Sequence, residues 1–260
     1  MNNPHPLVRA APNWTKKDHM LIDTINGITP FDTETTGVDV ENDRIVTAYI
    51  AVMDTQGNVL RQWDWLINPG IDIPEGASAV HGITTEQAVA EGMDPPTAIA
   101  EIVETLRREM SSSVPIGPYN GKFDMTILDR EARRYGIEPL TGISMIDPFI
   151  IDKHLDPYRR GNRKLITTAE HYGITLENAH SADADALAAG LLGLKLLSKI
   201  PAEIETIDQL HAAQIVWARE QAISLETYLR RTDPEAVCER VWPVALLPDE
   251  SLMEEMLDFV

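Results

Sequence analysis

Apolar residues near the start of the chain cluster in three short stretches, as they do in β-strands. The stretches cover residues 28–33, 44–53 and 59–67, and the last two are rich in Val, Ile, Ala and Trp. These two flank Asp54-Thr55-Gln56-Gly57-Asn58, a sequence typical of a hairpin turn. The pattern therefore predicts three consecutive strands that form an antiparallel meander.

Helical and extended patterns alternate along the next part of the chain. Pro95 and Pro96 open a stretch in which apolar residues recur about every 3.6 residues, the period of a helix. Short strands are predicted at 114–119 and 143–146, each followed by helical segments, and a longer helix is predicted at about 181–199. This order indicates an α/β protein with a mixed five-stranded sheet flanked by helices.

The regions outside this alternation are predicted separately. Residues 1–26 are expected to be a tail and lead-in, residues 27–200 the main domain, and residues 201–260 a helical C-terminal extension. Val80-His81-Gly82-Ile83-Thr84 is predicted to lie in a loop whose threonine starts the next helix. Residues 207–231 are predicted to form one amphipathic helix. Its expected buried positions are Leu210, Ile215, Ala218, Ala222 and Leu225. Packing on the main domain is expected for this extension, and docking on a polymerase, a clamp or a second subunit is the alternative.

Composition narrows the protein class. Hydrophobic residues make up 43% and charged residues 24% of the 260 residues, which is ordinary for a water-soluble globular protein. No apolar run approaches the ~20 residues needed to span a bilayer, and the first twenty residues lack a signal-peptide pattern. A cytoplasmic location without a membrane partner is therefore expected. The single cysteine, Cys238, excludes an intrachain disulfide and a cysteine-based zinc cluster.

Charge argues against one mode of nucleic-acid binding. A net charge of −19 is incompatible with bulk electrostatic attraction to phosphates, although an enzyme acting on nucleic acid can use a local basic patch. One basic segment stands out and is preceded by Tyr158. This segment either contacts the phosphates and bases of a strand or is a solvated loop between helices. Its cations are Arg159, Arg160, Arg163 and Lys164.

Two carboxylates stand two positions apart at the end of the first predicted strand. Asp32 and Glu34 lie in the segment Phe31-Asp32-Thr33-Glu34-Thr35-Thr36-Gly37. Residues i and i+2 of a strand project to the same face, so the two charges repel and one pKa should rise unless a cation lies between them. A divalent ion that prefers oxygen ligands, Mg²⁺ or Mn²⁺, explains the pair. A solvated strand end is the alternative for a D-x-E sequence alone.

Two further acidic segments lie where strands meet helices. Asn120-Gly121-Lys122-Phe123-Asp124 follows the fourth predicted strand, and His180-Ser181-Ala182-Asp183-Ala184-Asp185 opens the long helix. Active sites of open α/β sheets concentrate at such edges. Taken alone, Asp124 would be interpreted as a helix N-terminal acid favoured by the dipole, and His180 as a surface or capping histidine. Together with the first pair, these segments bring enough carboxylates to hold two divalent ions, a number suited to in-line displacement at phosphorus.

The three segments resemble the motifs of a known enzyme family. F-D-T-E-T-T-G, N-x-x-F-D and H-x-A-x-x-D are similar to those of the DEDDh 3′–5′ exonucleases, which include the epsilon proofreading subunit of bacterial DNA polymerase III, RNase T and oligoribonuclease. Residues 80–84 also resemble the V-H-G-I-T segment of epsilon-like members. The resemblance covers roughly residues 27–200 and implies a ribonuclease H-like fold.

The resemblance also implies roles for individual residues. His180 becomes the general base, and Asp183 is set aside as a solvated or helix N-terminal acid because the family spacing selects Asp185. Phe123 either stacks on a base or belongs to the core, and His81 either approaches the terminal nucleotide or caps the next helix. The implied metal ligands, for two ions of Mg²⁺ or Mn²⁺, are Asp32, Glu34, Asp124 and Asp185. The candidate substrate contacts are Thr35, Thr36, Gly37, His81, Asn120, Phe123, Tyr158, Arg159 and Arg163.

The activity implied by the resemblance is removal of nucleoside 5′-monophosphates from the 3′ end of single-stranded DNA. The V-H-G-I-T segment and the C-terminal extension favour DNA, and a DNA polymerase or another replication protein is a candidate partner. The alternatives are the same hydrolysis of RNA, as by RNase T or oligoribonuclease, and a non-catalytic polymerase accessory protein.

Overall fold

A mixed sheet forms the centre of the structure, a computed structural model that describes residues 20–175 and 181–248. Strand β3 lies in the middle of its antiparallel part and pairs with β1 and β2 along one edge and with β4 along the other. A turn at Gly57, with a φ of 86°, joins β3 to β4. The predicted meander and hairpin turn are therefore confirmed. The strands are β1 (Gly27–Ile28), β2 (Phe31–Thr35), β3 (Ile45–Asp54) and β4 (Val59–Leu66).

Two more chain segments extend the sheet beyond β1 through parallel bridges. Ile116 bridges Thr29 on one side and Met145 on the other. The Ile146 N–H donates to the Ile116 carbonyl at 2.8 Å. Because β1 and β2 lie end to end along the same edge of β3, the six segments occupy five side-by-side positions. The predicted mixed five-stranded sheet is therefore confirmed, although the last two segments pair over a shorter stretch than predicted.

Helices cover both faces of the sheet. Helix α7 lies on the face that carries Asp32, whereas α3 and α4 lie on the opposite face, where Trp65 donates to Glu101 of α3 at 3.0 Å. Gly190 allows α7 to approach closely, because a Cβ there would lie 2.4 Å from Pro30 Cγ. In residues 20–175 and 181–248, no helix has the length and apolar character needed to cross a membrane. The helices are α1 (Glu75–His81), α2 (Thr85–Glu91), α3 (Pro95–Glu109), α4 (Lys122–Arg134), α5 (Pro148–Leu155), α6 (Leu165–His171), α7 (Ala182–Leu197) and α8 (Ile207–Leu229).

Helix α1 corrects the prediction of a loop at Val80 and His81. Both residues lie in its last turn, and Gly82, with a φ of 80°, ends the helix. None of the residues of α1 is buried, so the sequence carries no apolar period there that would indicate a helix. The predicted start of α2 is confirmed, since Thr84 accepts a hydrogen bond from the Gln87 N–H at 3.2 Å.

Helix α8 forms as predicted but buries a different face. Ile215 is 42% exposed and Leu225 is 47% exposed, so both predictions of burial were wrong. The buried face includes Gln214, whose amide donates to the Met145 carbonyl at 2.8 Å, and Trp217, whose ring stacks on His154 at 3.8 Å. Because Gln214 is polar, a prediction based on the spacing of apolar residues does not identify it as part of the buried face.

The segment after α8 returns to the main domain. The Ala245 N–H donates to Thr126 Oγ1 at 3.0 Å, and the Arg130 guanidinium donates to the Leu246 carbonyl at 2.6 Å. Helix α8 and this segment therefore lie directly against α4 and α5. The division of the chain near residue 200 stays a prediction.

Candidate active site

Strand β2 presents the first two acids. Asp32 pairs with Tyr49 of β3 and Glu34 pairs with Thr47, so all four side chains project from the same face of the sheet. Asp32 and Glu34 are both half-buried beneath α7. The expected common direction of the two carboxylates therefore follows from the regular pairing of β2 with β3.

Helix α4 brings the third acid to β2. Asp124 lies in the first turn of α4 and is only 5% exposed. Its Oδ1 accepts hydrogen bonds from the Thr33 N–H at 3.1 Å and from Thr33 Oγ1 at 2.7 Å. Because Thr33 stands between Asp32 and Glu34, these bonds fix the start of α4 beside the first two acids.

Helix α7 supplies the fourth acid, and the four carboxylates interact electrostatically. Burial raises the pKa of Asp32 well above its usual value, and the charges of Asp124, Glu34 and Asp185 raise it further. Burial, followed by the charges of Asp185 and Asp124, raises the pKa of Glu34 from 4.5 to about 7. Burial also raises the pKa of Asp124 to about 7, against the hydrogen bonds from Thr33. We call Asp32, Glu34, Asp124 and Asp185 the acid cluster.

The acid cluster has the oxygen ligands that a divalent ion prefers, but its side chains do not yet point toward a common centre. Among the described residues, no three Asp, Glu, His or Cys side chains already converge closely enough to hold a metal ion. One oxygen of Asp124 is engaged by Thr33, and unbalanced like charges drive carboxylates apart. A set of buried carboxylates that raise one another's pKa is nevertheless what Mg²⁺ or Mn²⁺ would neutralise.

Asp183 separates from Asp185 in the structure. Both lie in the first turn of α7, but only Asp185 contributes to the raised pKa of Asp32 and Glu34. Asp183 is half-buried and instead raises the pKa of Tyr49, after the larger effect of burial. It is therefore the helix N-terminal acid of the prediction and not a fully solvated one, and it lies outside the acid cluster. His180, the predicted general base, lies outside the residues that the structure describes.

A cleft of about 430 Å³ opens beside Glu34. Its floor is the surface of β3 and β4, where Tyr49 OH donates to Gln62 Oε1 at 3.1 Å. Its walls include Ile83, Ser181 and three carboxylates, and no Lys or Arg lines it in the described part of the chain. The carboxylates are those of Glu34, Asp64 and Asp183.

His81 lines this cleft and also stabilises the local backbone. Its Nδ1 accepts a hydrogen bond from the Ile83 N–H at 3.2 Å. Burial lowers the pKa of His81, and an interaction with the Thr35 backbone opposes that change. His81 does not cap the next helix, because Thr84 does so, and its approach to a terminal nucleotide stays a prediction.

The residues that follow Glu34 are engaged with one another. Thr35 Oγ1 donates to the Gly37 carbonyl at 2.6 Å, and Thr36 Oγ1 donates to Asp43 Oδ1 at 2.7 Å. At Gly37, a Cβ would lie 2.4 Å from Asp43 Oδ2, so glycine permits this tight loop. Both hydroxyl protons are used inside the loop, and the predicted contact of these residues with a nucleotide stays a prediction.

Asp147 organises the turn before Asp124, a role that the sequence analysis missed. Asn120 has a φ of 57°, rare for a residue with a side chain. The backbone N–H groups of Asn120 and Gly121 donate to the two carboxylate oxygens of Asp147, both at 3.0 Å. Asp147 is fully buried, which raises its pKa to about 6 against these hydrogen bonds. Its own N–H donates to Gln214 of α8 at 2.7 Å, which connects the C-terminal extension to the turn. The sequence signal for this role was an aspartate directly before Pro148, at the start of a helix.

Arg159 and Arg163, the predicted phosphate contacts, both pair with a buried carboxylate of the main domain. Arg159 Nη2 lies 2.8 Å from Asp152 Oδ2, and the Arg163 guanidinium contacts the same oxygen. Tyr172 OH donates to the other oxygen at 3.0 Å. Asp152 is fully buried, so these guanidinium groups neutralise an internal carboxylate, and a phosphate contact by either arginine stays a prediction.

The remaining candidate substrate contacts differ in how exposed their side chains are. Tyr158 is 92% exposed, and Arg160 and Lys164 are also exposed, so a substrate contact by them stays a prediction. Phe123 is partly buried and packs against the hydrophobic core, which favours the structural interpretation of this residue.

The chain matches known exonucleases. Residues 30–192 match the RNase_T family, described as Exonuclease. The DNA polymerase III subunit epsilon of Treponema pallidum is 30% identical over 159 residues, which are 61% of this chain and 70% of that protein. The PolC-type DNA polymerase III of Lacticaseibacillus paracasei is 29% identical over 184 residues, which are 70% of this chain but only 12% of that much longer protein.

Solved structures give the same architecture. An exonuclease I structure superposes with a TM-score of 0.60 at 20% identity and covers 77% of this chain and 46% of that chain. E. coli exonuclease I in complex with a dT13 oligonucleotide superposes with a TM-score of 0.54 at 20% identity over 80% of this chain and 44% of that chain. At these identities the likeness shows the fold, which is of the ribonuclease H-like type, as predicted. With the match over residues 30–192, it follows that the chain belongs to the exonuclease family, whose members are 3′–5′ exonucleases that depend on divalent metal ions.

Proposed function

We propose that this protein is a 3′–5′ exonuclease that removes nucleoside 5′-monophosphates from the 3′ end of single-stranded DNA. The observation that carries this proposal is the acid cluster, in which a strand and two helices bring four carboxylates together at one edge of the sheet. A protein that only binds a partner has no need of a cluster whose members raise one another's pKa. This argues against the non-catalytic alternative.

The roles of the residues follow from their chemistry. Asp32, Glu34, Asp124 and Asp185 hold two divalent ions, Mg²⁺ or Mn²⁺. When bound, such ions supply the positive charge that in-line displacement at phosphorus requires. His180, whose ordinary pKa of about 6.5 suits the task, accepts the proton of the attacking water.

The cleft beside Glu34 suits the base and sugar of the terminal nucleotide. Its volume of about 430 Å³ is large enough for one nucleoside. Because carboxylates line it without Lys or Arg among the described residues, it disfavours a phosphate inside, and the scissile phosphate is left at the rim near the acid cluster. Tyr49 and Gln62 on its floor offer polar atoms to a base.

The similarity of the chain to DNA polymerase III proteins supports DNA as the substrate. The relatives are named as DNA polymerase III proteins, and one structural neighbour was solved with a dT13 oligonucleotide. We infer from the same names a cytoplasmic location and association with a DNA polymerase or another replication protein. Hydrolysis of RNA is the alternative outcome of the test below.

The test is digestion of 5′-labelled DNA and RNA oligonucleotides with Mn²⁺ or with EDTA. We expect a ladder of products shortened one nucleotide at a time on single-stranded DNA, and its complete loss in EDTA. Asp185→Asn should abolish the ladder, while Asp183→Asn should keep most of the turnover rate. A ladder that persists in EDTA, or an active Asp185→Asn variant, would contradict the proposal. A ladder on RNA alone would show that the substrate is RNA and not DNA.

A further inference from the structure

We propose that the nucleotides upstream of the cleaved bond lie in a second groove, where Lys122 and Lys153 contact their phosphates. The groove has a volume of about 310 Å³ and lies between α4, α5 and the C-terminal extension. We call it the lysine groove and define it by Asn120, Lys122, Phe149, Lys153, Gln221 and Leu225, which are among its lining residues. The inference rests on the proposed function and names the site that holds the rest of the substrate.

The lysine groove begins at the turn that leads to the acid cluster. Asn120 lines the groove, and Asp124 lies four residues later in the first turn of α4. The opposite wall comes from α8 and residues 238–242. A strand whose 3′ end lies at the acid cluster can therefore pass over the Asn120 turn and continue between the main domain and the C-terminal extension.

Carboxylates act on the two lysines only at a distance, through the charge of Glu239 on Lys122 and that of Asp147 on Lys153. In the described residues, neither Lys122 nor Lys153 lies within ion-pair distance of a carboxylate. Lys122 Nζ donates to the backbone carbonyl of Glu239 at 2.9 Å. Lys153 Nζ lies 4.8 Å from the Phe149 ring centre. Burial and the nearby Arg163 lower the pKa of Lys153. A bound anion would offset this unfavourable environment.

The contrast with the other charged sites decides where a strand would bind. Arg159 and Arg163 are engaged by the buried Asp152, and the cleft beside Glu34 is lined by carboxylates. The lysine groove contains one acidic side chain, that of Glu239, among its described lining residues. In a chain of net charge −19, phosphates have few such places to bind.

Apolar surface in the groove fits the bases of a single strand. Leu225, 47% exposed against the prediction from sequence, lines the groove together with the half-buried Phe149. Single-strand binding sites combine cations for the backbone with apolar or aromatic side chains for the bases. The exposure of Leu225 then has a reason, since it is the base-facing side of the same groove.

The experiment measures binding as a function of strand length and salt. The wild-type protein, expected to be inactive in EDTA, is titrated in EDTA against fluorescent oligo-dT of 2 and 12 nucleotides at two salt concentrations. We expect Lys153→Gln to raise the Kd of the 12-mer about 3- to 10-fold, and Lys122→Gln to add to this effect. Each lost phosphate contact should also reduce the salt slope by about 0.7. The dinucleotide, which does not reach the groove, should bind unchanged.

Lys199→Gln is the matched control. Lys199 is exposed at the far end of α7 and lies 5.6 Å from the Tyr172 ring centre, so its replacement removes the same charge and the same kind of ring contact. We expect its Kd and salt slope to equal those of the parent. A 12-mer that binds the lysine variants like the parent, or that depends on Arg160 and Lys164 instead, would overturn the inference. Lysine-dependent binding without any ladder from the wild-type protein would refute the proposed activity while leaving the groove in place.

Discussion

Replacing Glu34 by glutamine should stabilise the metal-free protein near pH 8 while removing its activity. Burial, Asp185 and Asp124 raise the pKa of Glu34 from 4.5 to about 7, so the folded state binds its proton more tightly than the unfolded state. This contribution to the free energy of unfolding is fully present below pH 4.5 and is lost as the pH rises through 7. The full difference corresponds to about 3 kcal/mol. Because Glu34 is partly exposed and screened by solvent, we expect about 1–2 kcal/mol.

Urea denaturation of wild-type and Glu34→Gln protein in EDTA, at pH 5 and pH 8, measures this difference. The variant should be more stable by about 1–2 kcal/mol at pH 8. The gap should fall to about a quarter of that at pH 5, where the folded wild-type carboxyl is protonated but the unfolded one is still mostly ionised. Glu91→Gln, an exposed glutamate at the end of α2, is the control and should change stability by less than about 0.5 kcal/mol at both pH values.

Metal addition completes the same experiment. Mn²⁺ should raise the free energy of unfolding of the wild-type protein at pH 8, since it binds the folded state, and should do so much less for Glu34→Gln. A variant that is less stable than wild type at pH 8, or a gap that is equal at both pH values, would refute the reasoning that unbalanced carboxylates destabilise this site.

Three further predictions concern the surroundings of the site. Asp152→Ala leaves Arg159 and Arg163 without their buried partner and should lower the free energy of unfolding by about 3–5 kcal/mol in urea denaturation. Arg160→Ala, at an exposed position, is the control and should change it by less than about 0.5 kcal/mol. A small loss for Asp152→Ala would favour substrate binding as the role of the two arginines. Gln214→Ala removes two hydrogen bonds from α8 to the main domain and Gln221→Ala removes one, so Gln221→Ala should cost about 1–2 kcal/mol and Gln214→Ala more. Only Gln214→Ala, which releases Asp147, should also lower kcat, and equal kcat values would separate α8 from the active site. His180→Ala should lower kcat by about 10²- to 10⁴-fold and abolish the rise of single-turnover rates between pH 5 and 8, and an unchanged pH profile would remove histidine from the reaction.

The strands of the meander and the common direction of Asp32 and Glu34 were predictable because both depend on local sequence, whereas Asp185 was selected by the family resemblance. Alternation of side chains along a strand sets the common direction of Asp32 and Glu34 whatever the rest of the chain does. Turn residues and helix-start signals, such as Gly57 and Thr84, act over a few positions. Those features determine most elements of the fold and the edge at which the acids meet.

The errors arose where distant partners decide the outcome. Arg159 and Arg163 read as exposed cations because Asp152, on α5, becomes their partner only after packing. Asp147 gained its role from backbone N–H groups 26 and 27 residues earlier in the chain and from Gln214 of α8. Sequence patterns report which residues prefer burial but not which polar group will satisfy another across the fold.

The central claim is that the acid cluster holds the catalytic metal ions. Crystals soaked with Mn²⁺ and a nucleoside 5′-monophosphate, measured at the manganese absorption edge, test it directly by anomalous scattering. The account predicts two anomalous peaks about 4 Å apart among Asp32, Glu34, Asp124 and Asp185, with the phosphate beside them and the base in the cleft next to Glu34. Crystals with no manganese at these four carboxylates, or with the nucleotide bound away from them, would contradict it.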